Sequence, residues 1–296
     1  MKIALTGSRG LIGSSIYNKL RESFNVVCLG RDINADDVYM DLNNFTLDSH
    51  RFIGMEVIIH CAGVIDEEIS EDYNASIIKN TLGLVKLVDW AKKQGIKQFI
   101  YMSSAHVYGE LNKNIDEKAE LNPKNLYANL HVFAENYIRS TFEDSLIIRL
   151  NTVYGNPPLN FKRNGLIPFS FPYELALNNR IVIRSHGLQS RNFVSTNTIA
   201  NFVLKAVLKR KSGIVNILGH HSISVLRFAH LCVEEIYKKY DYKFSVKTLE
   251  AMDSEYVDEF NFKSTKHQCN ESEDELKIHI LSIFEKSIDK PILKEK

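Results

Sequence analysis

Cysteine is scarce in this chain: four residues in 296. Cys28, Cys61, Cys232 and Cys269 lie far apart and without metal-ligand spacing, which argues against a disulfide framework or a thiolate metal site. They are expected to be reduced and mostly structural. Cys28 and Cys61 fall inside apolar runs, where a thiol behaves as a small hydrophobe. His220-His221 has no third ligand at useful spacing, so it reads as a loop pair and no metal is expected. An excess of charge of one sign is also missing. Lys and Arg number 37 against 36 Asp and Glu, a formal charge of +1, and no basic run is long. That argues against nucleic-acid binding driven by phosphate contacts. No apolar run approaches the roughly 20 residues that span a bilayer. The first residues read as a strand and not as a leader peptide. The expectation is a soluble, cytoplasmic protein with neither nucleic acid nor membrane as partner.

What is present is a normal core, with 44% hydrophobic residues, and a patterned beginning. Lys2-Ile3-Ala4-Leu5-Thr6 is a short apolar run that predicts a buried strand. It enters Gly7-Ser8-Arg9-Gly10-Leu11-Ile12-Gly13, and helical spacing of Ile16 and Leu20 follows. A strand ending in a tight turn, a backbone that must approach a pyrophosphate and a helix packed against the sheet each remove a Cβ. The first helical turn would then turn its unpaired N–H groups toward the phosphates. The spacing is G-x-x-G-x-x-G, one residue longer than the G-x-G-x-x-G fingerprint, and an ordinary glycine turn is the competing reading.

A second strand, 25–29, ends at Gly30-Arg31-Asp32. Coenzymes with a free ribose 2′-OH are usually met at this point by a carboxylate. Gly30 has none, whereas Arg31 and, from the glycine loop, Arg9 suit a 2′-phosphate gripped by two parallel hydrogen bonds. NADP(H) is therefore favoured, with NAD(H) as the alternative should Asp32 be the residue at the strand tip. Asp41-Leu42 is expected to close the adenine pocket. The strand 57–60 runs into Cys61-Ala62-Gly63, a small-residue turn against which a coenzyme can lie. A helix over 80–92 carries Leu84, Leu87, Val88 and Ala91 at core spacing. The strand 98–102 ends in Ser103-Ser104-Ala105-His106-Val107-Tyr108-Gly109, and in an open parallel sheet ligands bind at the carboxyl ends of strands. After Asn122-Pro123, Tyr127 opens a further helix with His131 one turn on, on the same face. A serine at a strand end and a tyrosine on the next helix can work as an acid–base pair. The tyrosine would move a proton at a substrate oxygen while the serine holds that oxygen.

The glycine loop, the Ser103-to-Gly109 segment, Tyr127 with its helix partner four residues later, and Arg149-Leu150-Asn151-Thr152-Val153-Tyr154-Gly155 together resemble an extended short-chain dehydrogenase/reductase. The similar branch is the nucleotide-sugar epimerase, dehydratase and reductase group, and the resemblance covers about residues 1–270. It implies a doubly wound, Rossmann-like α/β domain with a parallel sheet and a smaller, discontinuous C-terminal substrate lobe. The first domain is expected to span 1–155, with 188–218 returning to it; 156–187 and 219–296 form the lobe. The resemblance implies Ser104 and Tyr127 as catalytic, with His131 in the place of the third catalytic residue. The coenzyme set is Gly7, Arg9, Gly10, Leu11, Ile12, Gly13, Arg31, Asp41, Leu42, Cys61, Ala62, Gly63, Asn80, Tyr127 and His131. The loop Gly7-Ser8-Arg9-Gly10 resembles that of NADPH-using GDP-fucose synthases, which supports the arginine argument. On the substrate side stand His106, Asn151, Thr152 and Arg191, with Lys162 and Arg163 able to meet a nucleotide diphosphate. The family usually has acidic residues where this chain has Asn192, Asn197 and Thr198.

One position departs from Tyr-x-x-x-Lys: the chain reads Tyr127-Ala128-Asn129-Leu130-His131. Imidazole is shorter than a lysine side chain and titrates near 6.5, so a partly cationic His131 is expected at pH 7. Such a cation would favour the tyrosinate, and the two would titrate as a unit. Two readings follow: a working substitute with a lower pH range, or a weakened enzyme that only binds NADP(H) and regulates a partner. The expected reaction is reduction of a keto sugar on a nucleotide at C4, with a redox-neutral epimerase as the alternative. A dehydratase adds a carboxylate pair beside the serine, where this chain has Ala105 and His106. By the same resemblance the chain is expected to form a homodimer through helices 80–92 and 127–139, with Leu82 and Val85 as apolar residues beyond the core stripe.

Overall fold

Apolar stretches at 3–5, 57–59 and 146–148 show no polar alternation, the pattern of parallel strands covered on both faces. In the computed structural model they form the middle of an eight-stranded sheet. The structure describes residues 1–32, 34, 37–47, 54–63, 66–109, 114–158, 161, 165–249 and 261–289. The strands β1 (Lys2–Thr6), β2 (Asn25–Gly30), β3 (Val38–Asp41), β4 (Thr46–Leu47), β5 (Met55–His60) and β6 (Gln98–Ser104) build one part of it. After the short β7 (Asn114–Ile115), β8 (Ser145–Leu150) adds to the same sheet and β9 (Thr152–Tyr154) leaves it. Then come β10 (Arg180–Ile183), β11 (Ser190–Ser195) and β12 (Gly213–Asn216), of which only β12 returns to the large sheet. Its order is β12-β8-β6-β5-β1-β2-β3-β4, parallel throughout except at the β3–β4 edge. From β1 the chain builds outward first through β2 and then, on the other side, through β5. The sheet therefore has its switch point between β1 and β5, where an open α/β sheet leaves a crevice.

Two apolar layers cover the sheet. Helices α1 (Leu11–Leu20) and α7 (Thr196–Leu208) close one face through Ile16, Leu20, Ile199 and Val203. The other face is covered by a helical run that starts with α2 (Asp66–Glu71) and α3 (Tyr73–Ile78) and continues, after a π turn at Lys79–Gly83, as α4 (Leu84–Lys93). With it packs α5 (Leu126–Thr141), so Leu84, Leu87, Val88, Ala134 and Ile138 share one cluster. The core stripe expected on 80–92 is thus buried, but the helix begins earlier. Asp72 caps α3 by accepting from the Ala75 amide at 2.9 Å, a signal the 80–92 periodicity did not include. A third cluster joins α6 (Ile167–Asn178), α8 (Val225–Tyr240) and α9 (Glu275–Asp289) through Leu175, Phe228, Cys232 and Ile280. Beside it, β11 pairs with β9 and with β13 (His221–Ser224), and β10 with β14 (Ser245–Thr248). The last pair joins β7 to β15 (Asn261–Phe262). Helix α6 was not among the expected elements; Pro168 sits in its first turn, where its missing N–H is harmless. The final helix is shorter than the stretch 271–296, whose last seven residues lie outside the described ones.

Helix α5 is locked to the sheet by charge. Glu135, 1% exposed, receives two bonds from Arg149 on β8, 2% exposed, at 3.0 and 2.6 Å, and a third from Ser103 Oγ at 2.5 Å. Arg149 Nη1 also donates to the Tyr108 hydroxyl at 2.8 Å, which donates in turn to Asn216 on β12 at 2.8 Å. Helix, three strands and the turn after β6 are thereby fixed against one another. Breaking a buried pair of this kind by removing one partner typically costs about 3–5 kcal/mol, since it strands the other charge.

Candidate active site

The glycine loop is held to its neighbours by contact distance. Gly7 has φ +67°, and a Cβ there would lie 2.7 Å from the Ala62 amide nitrogen. A Cβ on Gly13 would lie 2.0 Å from the Gly7 carbonyl oxygen. Both positions exclude any side chain, so strand, turn and helix close on one another as a dinucleotide cradle requires. Thr6 ties the loop to the next strand: its Oγ1 accepts from the Cys61 and Ala62 amides, each at 3.1 Å. Gly10, in extended conformation with φ −80°, is the N-cap of α1. The cleft in front of this loop is lined by Gly7, Arg9, Gly10, Arg31, Asp41, Leu42 and Ala62, residues that the sequence proposes for one ligand. Ser8, Gly30, Met40, Asn43 and Lys79 line it too and were not among those residues. Lys79 is the residue before Asn80, at the start of the π turn, and only the register of the preceding helix could have placed it on the cleft.

At the adenosine end, strand β2 ends at Gly30, so the alternative with Asp32 at the strand tip falls away. Arg9, expected to face a phosphate, pairs instead with Asp32, Nη1 to Oδ2 at 2.7 Å, with both side chains 40–50% exposed. An exposed pair of this kind contributes about 0–1 kcal/mol and is easily exchanged. Asp41 accepts from the Asn43 amide at 2.9 Å, which shapes the floor of the cleft. Cys61 and Gly63 are half-buried beside it; Asn80 is buried and donates to the Ser76 carbonyl at 2.7 Å. Leu11 and Ile12, half-buried, form the first turn of α1 with Gly13.

At the carboxyl end of β6, Ser104 is buried and its Oγ accepts from the His106 amide at 3.2 Å. The residues Ala105–Tyr108 make one 3₁₀ turn, closed by Gly109 at φ +81°. Asn125 caps α5 through the Ala128 amide at 2.9 Å, which sets Tyr127 in the first turn of the helix. Tyr127 is half-buried between two imidazoles. The His106 ring stands edge-on to it with centroids 5.8 Å apart, and the His131 ring edge-on at 4.7 Å.

His131 is the main correction. It is 4% exposed, and burial, helped by the nearby charges of His106 and His60, pushes its pKa down to about 3. It is a neutral ring and not the partly cationic one expected, because the dry interior disfavours the charged form. Its Nδ1 shares a hydrogen bond of 2.7 Å with the Tyr101 hydroxyl, and Tyr101 is held well above its ordinary pKa by burial, Glu135 and Tyr127. Its Nε2 is buried with no hydrogen-bond partner among the described residues. Behind Tyr101 stacks His60, whose Nδ1 meets Thr6 Oγ1 at 2.7 Å and whose pKa burial likewise depresses to about 3.

Away from the large sheet, β9 pairs in parallel with β11 at Thr152–Phe193, which brings Asn151 and Thr152 alongside the strand that carries Arg191. Thr152 donates to Asn151 Oδ1 at 3.1 Å, and Asn151 Nδ2 is buried without a partner among the described residues. Arg191 donates to the Ser190 carbonyl at 2.9 Å, and burial lowers its guanidinium pKa. Asn192, where an acid is usual, instead bonds Gly219 in both directions and shapes the turn before β13. Lys162 and Arg163 lie outside the described residues. Sequence reasoning missed Glu271. It is buried, accepts from the Tyr154 hydroxyl and from the Ser195 amide, and burial pushes its pKa up to about 7. Among the described residues no three His, Cys, Asp or Glu side chains could share a metal ion, and no helix is long and apolar enough to cross a membrane.

The cradle, the switch-point cleft and the serine–tyrosine turn are features of nucleotide-sugar enzymes of the extended short-chain dehydrogenase/reductase type. The chain belongs to the NAD dependent epimerase/dehydratase family, whose model matches residues 3–217. It is an NAD(P)-dependent enzyme of that type. It is 32% identical over 254 residues to a putative UDP-glucose 4-epimerase of Methanocaldococcus jannaschii, covering 79% of this chain and 82% of the relative. Its fold is similar to that of RMD from Pseudomonas aeruginosa complexed with NADPH. That match has a TM-score of 0.76 and 18% identity, covering 97% of this chain and 99% of the other. A UDP-glucuronic acid 4-epimerase from Bacillus cereus, in complex with UDP-glucuronic acid and NAD, superposes with a TM-score of 0.75 at 19% identity. The coverage there is 98% of this chain and 99% of that one.

Burial of neutral histidines has a sign in pH. Between about pH 6.5 and 3 the unfolded chain binds protons that folded His60 and His131 refuse, so stability falls as pH drops. Each group contributes a slope of about 1.4 kcal/mol per pH unit in that window. Glu271 opposes them with one group's weight, since its raised pKa lets the folded state hold a proton that the unfolded chain has released. The expected outcome is a urea midpoint that declines from pH 6.5 to 5, with a shallower decline in His131→Gln. A flat or rising midpoint contradicts the buried neutral rings.

Proposed function

We propose that this chain reduces a keto sugar carried on a nucleoside diphosphate, at C4, with NADPH as the preferred coenzyme. The observation that supports the reading best is the grouping at the end of β6: Ser104 bonded to the His106 amide, and the His106 ring against Tyr127. A bound nicotinamide supplies the hydride. Ser104 holds the substrate oxygen, and Tyr127 gives it the proton that turns the forming alkoxide into an alcohol. His131, neutral, turns its unpartnered Nε2 to a ribose hydroxyl of the coenzyme, as a donor or an acceptor according to tautomer. Asn151, Thr152 and Arg191 receive the sugar nucleotide, Arg191 at its diphosphate. Ala105 and His106 leave no carboxylate pair beside the serine, which disfavours dehydration. A redox-neutral C4 epimerase is the second reading, favoured by the similarity to the putative UDP-glucose 4-epimerase.

The test is steady-state turnover on a panel: dTDP-4-dehydrorhamnose with NADPH for reduction, UDP-glucose and UDP-glucuronic acid for epimerisation. Tyr127→Phe is expected to abolish turnover while coenzyme binding is largely kept; Tyr127→Phe working at the native rate sinks the catalytic assignment. A native protein silent on the whole panel, with His131→Lys active, supports the regulatory NADP(H)-binding reading instead.

The coenzyme preference rests on Gly30 at the strand tip, Arg31 on the cleft and an Arg9–Asp32 pair weak enough to yield Arg9 to a phosphate. A charge-assisted contact is worth about 1.5–3 kcal/mol. Arg31→Ala should therefore weaken NADPH binding at least about tenfold and leave NADH nearly unchanged. Calorimetric titrations that give equal affinities for the two coenzymes in the native protein contradict this. Finally, Ile78, Leu82 and Phe133 remain exposed on the π-turn region and α5, which supports a homodimer through these helices. Light scattering at micromolar concentration should give twice the chain mass, and a monomer mass overturns the assembly.

A further inference from the structure

Two buried hydroxyls each face a ring nitrogen, and their other bonds decide where the protons go. Thr6 Oγ1 accepts from the Cys61 and Ala62 amides, each at 3.1 Å, which takes up both of its lone pairs. Its own proton then goes to His60 Nδ1, 2.7 Å away, and His60 carries its proton on Nε2. The His60 ring is stacked on Tyr101, 20° from parallel with centroids 5.8 Å apart, and with Nδ1 taken it offers the phenol no lone pair. Among the described residues the Tyr101 hydroxyl has one hydrogen-bond partner, His131 Nδ1 at 2.7 Å. Burial, Glu135 and Tyr127 hold the Tyr101 pKa well above its ordinary value, so the phenol keeps its proton. A buried O–H with one acceptor in reach donates to it. Were Nδ1 protonated instead, the Tyr101 proton would be stranded, and His131 Nε2, which has no partner among the described residues, would be a bare buried lone pair. Two groups would then be orphaned in place of one. That difference biases the ring about fivefold or more toward Nε2–H.

We infer that Tyr101 is a positioning residue: its hydroxyl locks His131 in the Nε2–H tautomer, so that the ring meets its ligand as a hydrogen-bond donor. The inference rests on the reading above, in which the unpartnered Nε2 faces a ribose hydroxyl of the coenzyme. Which ring nitrogen carries the proton is set by the bond that the other one makes, and here Tyr101 makes it. The ribose oxygen then has to accept, and its own proton is left for another partner. An oxygen with a lone pair fits this place, and a group that can only donate does not. Held so, the histidine supplies a donor of fixed direction to the coenzyme without bringing a charge into a dry pocket. Tyr101 acts through His131 alone.

The lock is read on the full chain without coenzyme. With ¹⁵N-labelled histidine, long-range ¹H–¹⁵N correlation near neutral pH should show the ring lost in His131→Gln as a single Nε2–H tautomer. Its Nδ1 should couple across the hydrogen bond to the Tyr101 hydroxyl proton. Tyr101→Phe should remove that coupling and move both ring nitrogens toward the average of the two tautomers. Coenzyme binding reads the consequence. One neutral hydrogen bond is worth about 2–12-fold in affinity, so Tyr101→Phe and His131→Phe should each weaken NADPH within that range in calorimetric titrations. Because the tyrosine acts through the histidine, the double variant should bind no more weakly than His131→Phe alone. A native His131 protonated at Nδ1, ring signals that Tyr101→Phe leaves unchanged, or two losses that add in full overturns the inference. With the tautomer as expected, a His131→Phe protein that binds NADPH as tightly as the native one overturns instead the ribose contact of the reading above.

Discussion

A guanidinium and a carboxylate removed from water hold this site together. Arg149 and Glu135 are each almost fully buried, and their two parallel bonds join β8 to the middle of α5. Burying two charges is favourable only where every remaining bond is made. Here Ser103 and Tyr108 complete the set, one on each side of Ser104 in sequence. The consequence is positional. Tyr127 lies two turns before Glu135 on the same helix, and Ser104 lies next to Ser103 on the adjoining strand. The pair thereby fixes how far the tyrosine stands from the serine. A cluster that looks like core polarity thus positions the turn that carries Ser104 and the helix that carries Tyr127.

The second constraint is close backbone approach. At Gly7 and Gly13 the distances to Ala62 and to the Gly7 carbonyl leave no room for even one carbon. These contacts draw β1, α1 and the turn after β5 together at the sheet's switch point, and the cleft opens there because two neighbouring connections depart in opposite directions. Gly83 repeats the theme: a Cβ there would lie 2.2 Å from the Leu42 carbonyl. It packs the π turn against the strand end that floors the cleft in front of the glycine loop. Lys79, where that turn begins, lines the same cleft.

Much of this was legible because it depends on short-range chemistry. The strand–glycine–helix start, the apolar strands and the stripe on 84–91 follow from periodicity and Cβ exclusion, and these are local. Helix α6 was not legible, since Pro168 and Pro172 mimic a break unless one knows where the first turn falls. Nor was the Arg9–Asp32 pair, which needs the loop and the strand end to face each other across 23 residues. Glu271 was hidden for the same reason: nothing in its neighbourhood marks it as buried until Tyr154 and Ser195, from two other strands, close over it. Burial of a titratable group is a property of the fold, and His131 shows the error that follows from assigning it a solution pKa.

That error carries a physical lesson about position 131. A lysine there would bring a charge that needs water or an anion, whereas the pocket around His131 supplies aromatic edges from Tyr101 and Tyr127 and a single hydroxyl. The depressed pKa of His60, one ring further in, reflects the same dryness. Replacing His131 by lysine would leave the buried Tyr101 hydroxyl without its partner, a loss of about 1–3 kcal/mol unless the ammonium finds that oxygen itself. The histidine is therefore not a lysine of shorter reach. It is the inner end of a neutral aromatic column, Thr6 to His60 to Tyr101 to His131, that backs Tyr127 with polarisable but uncharged groups.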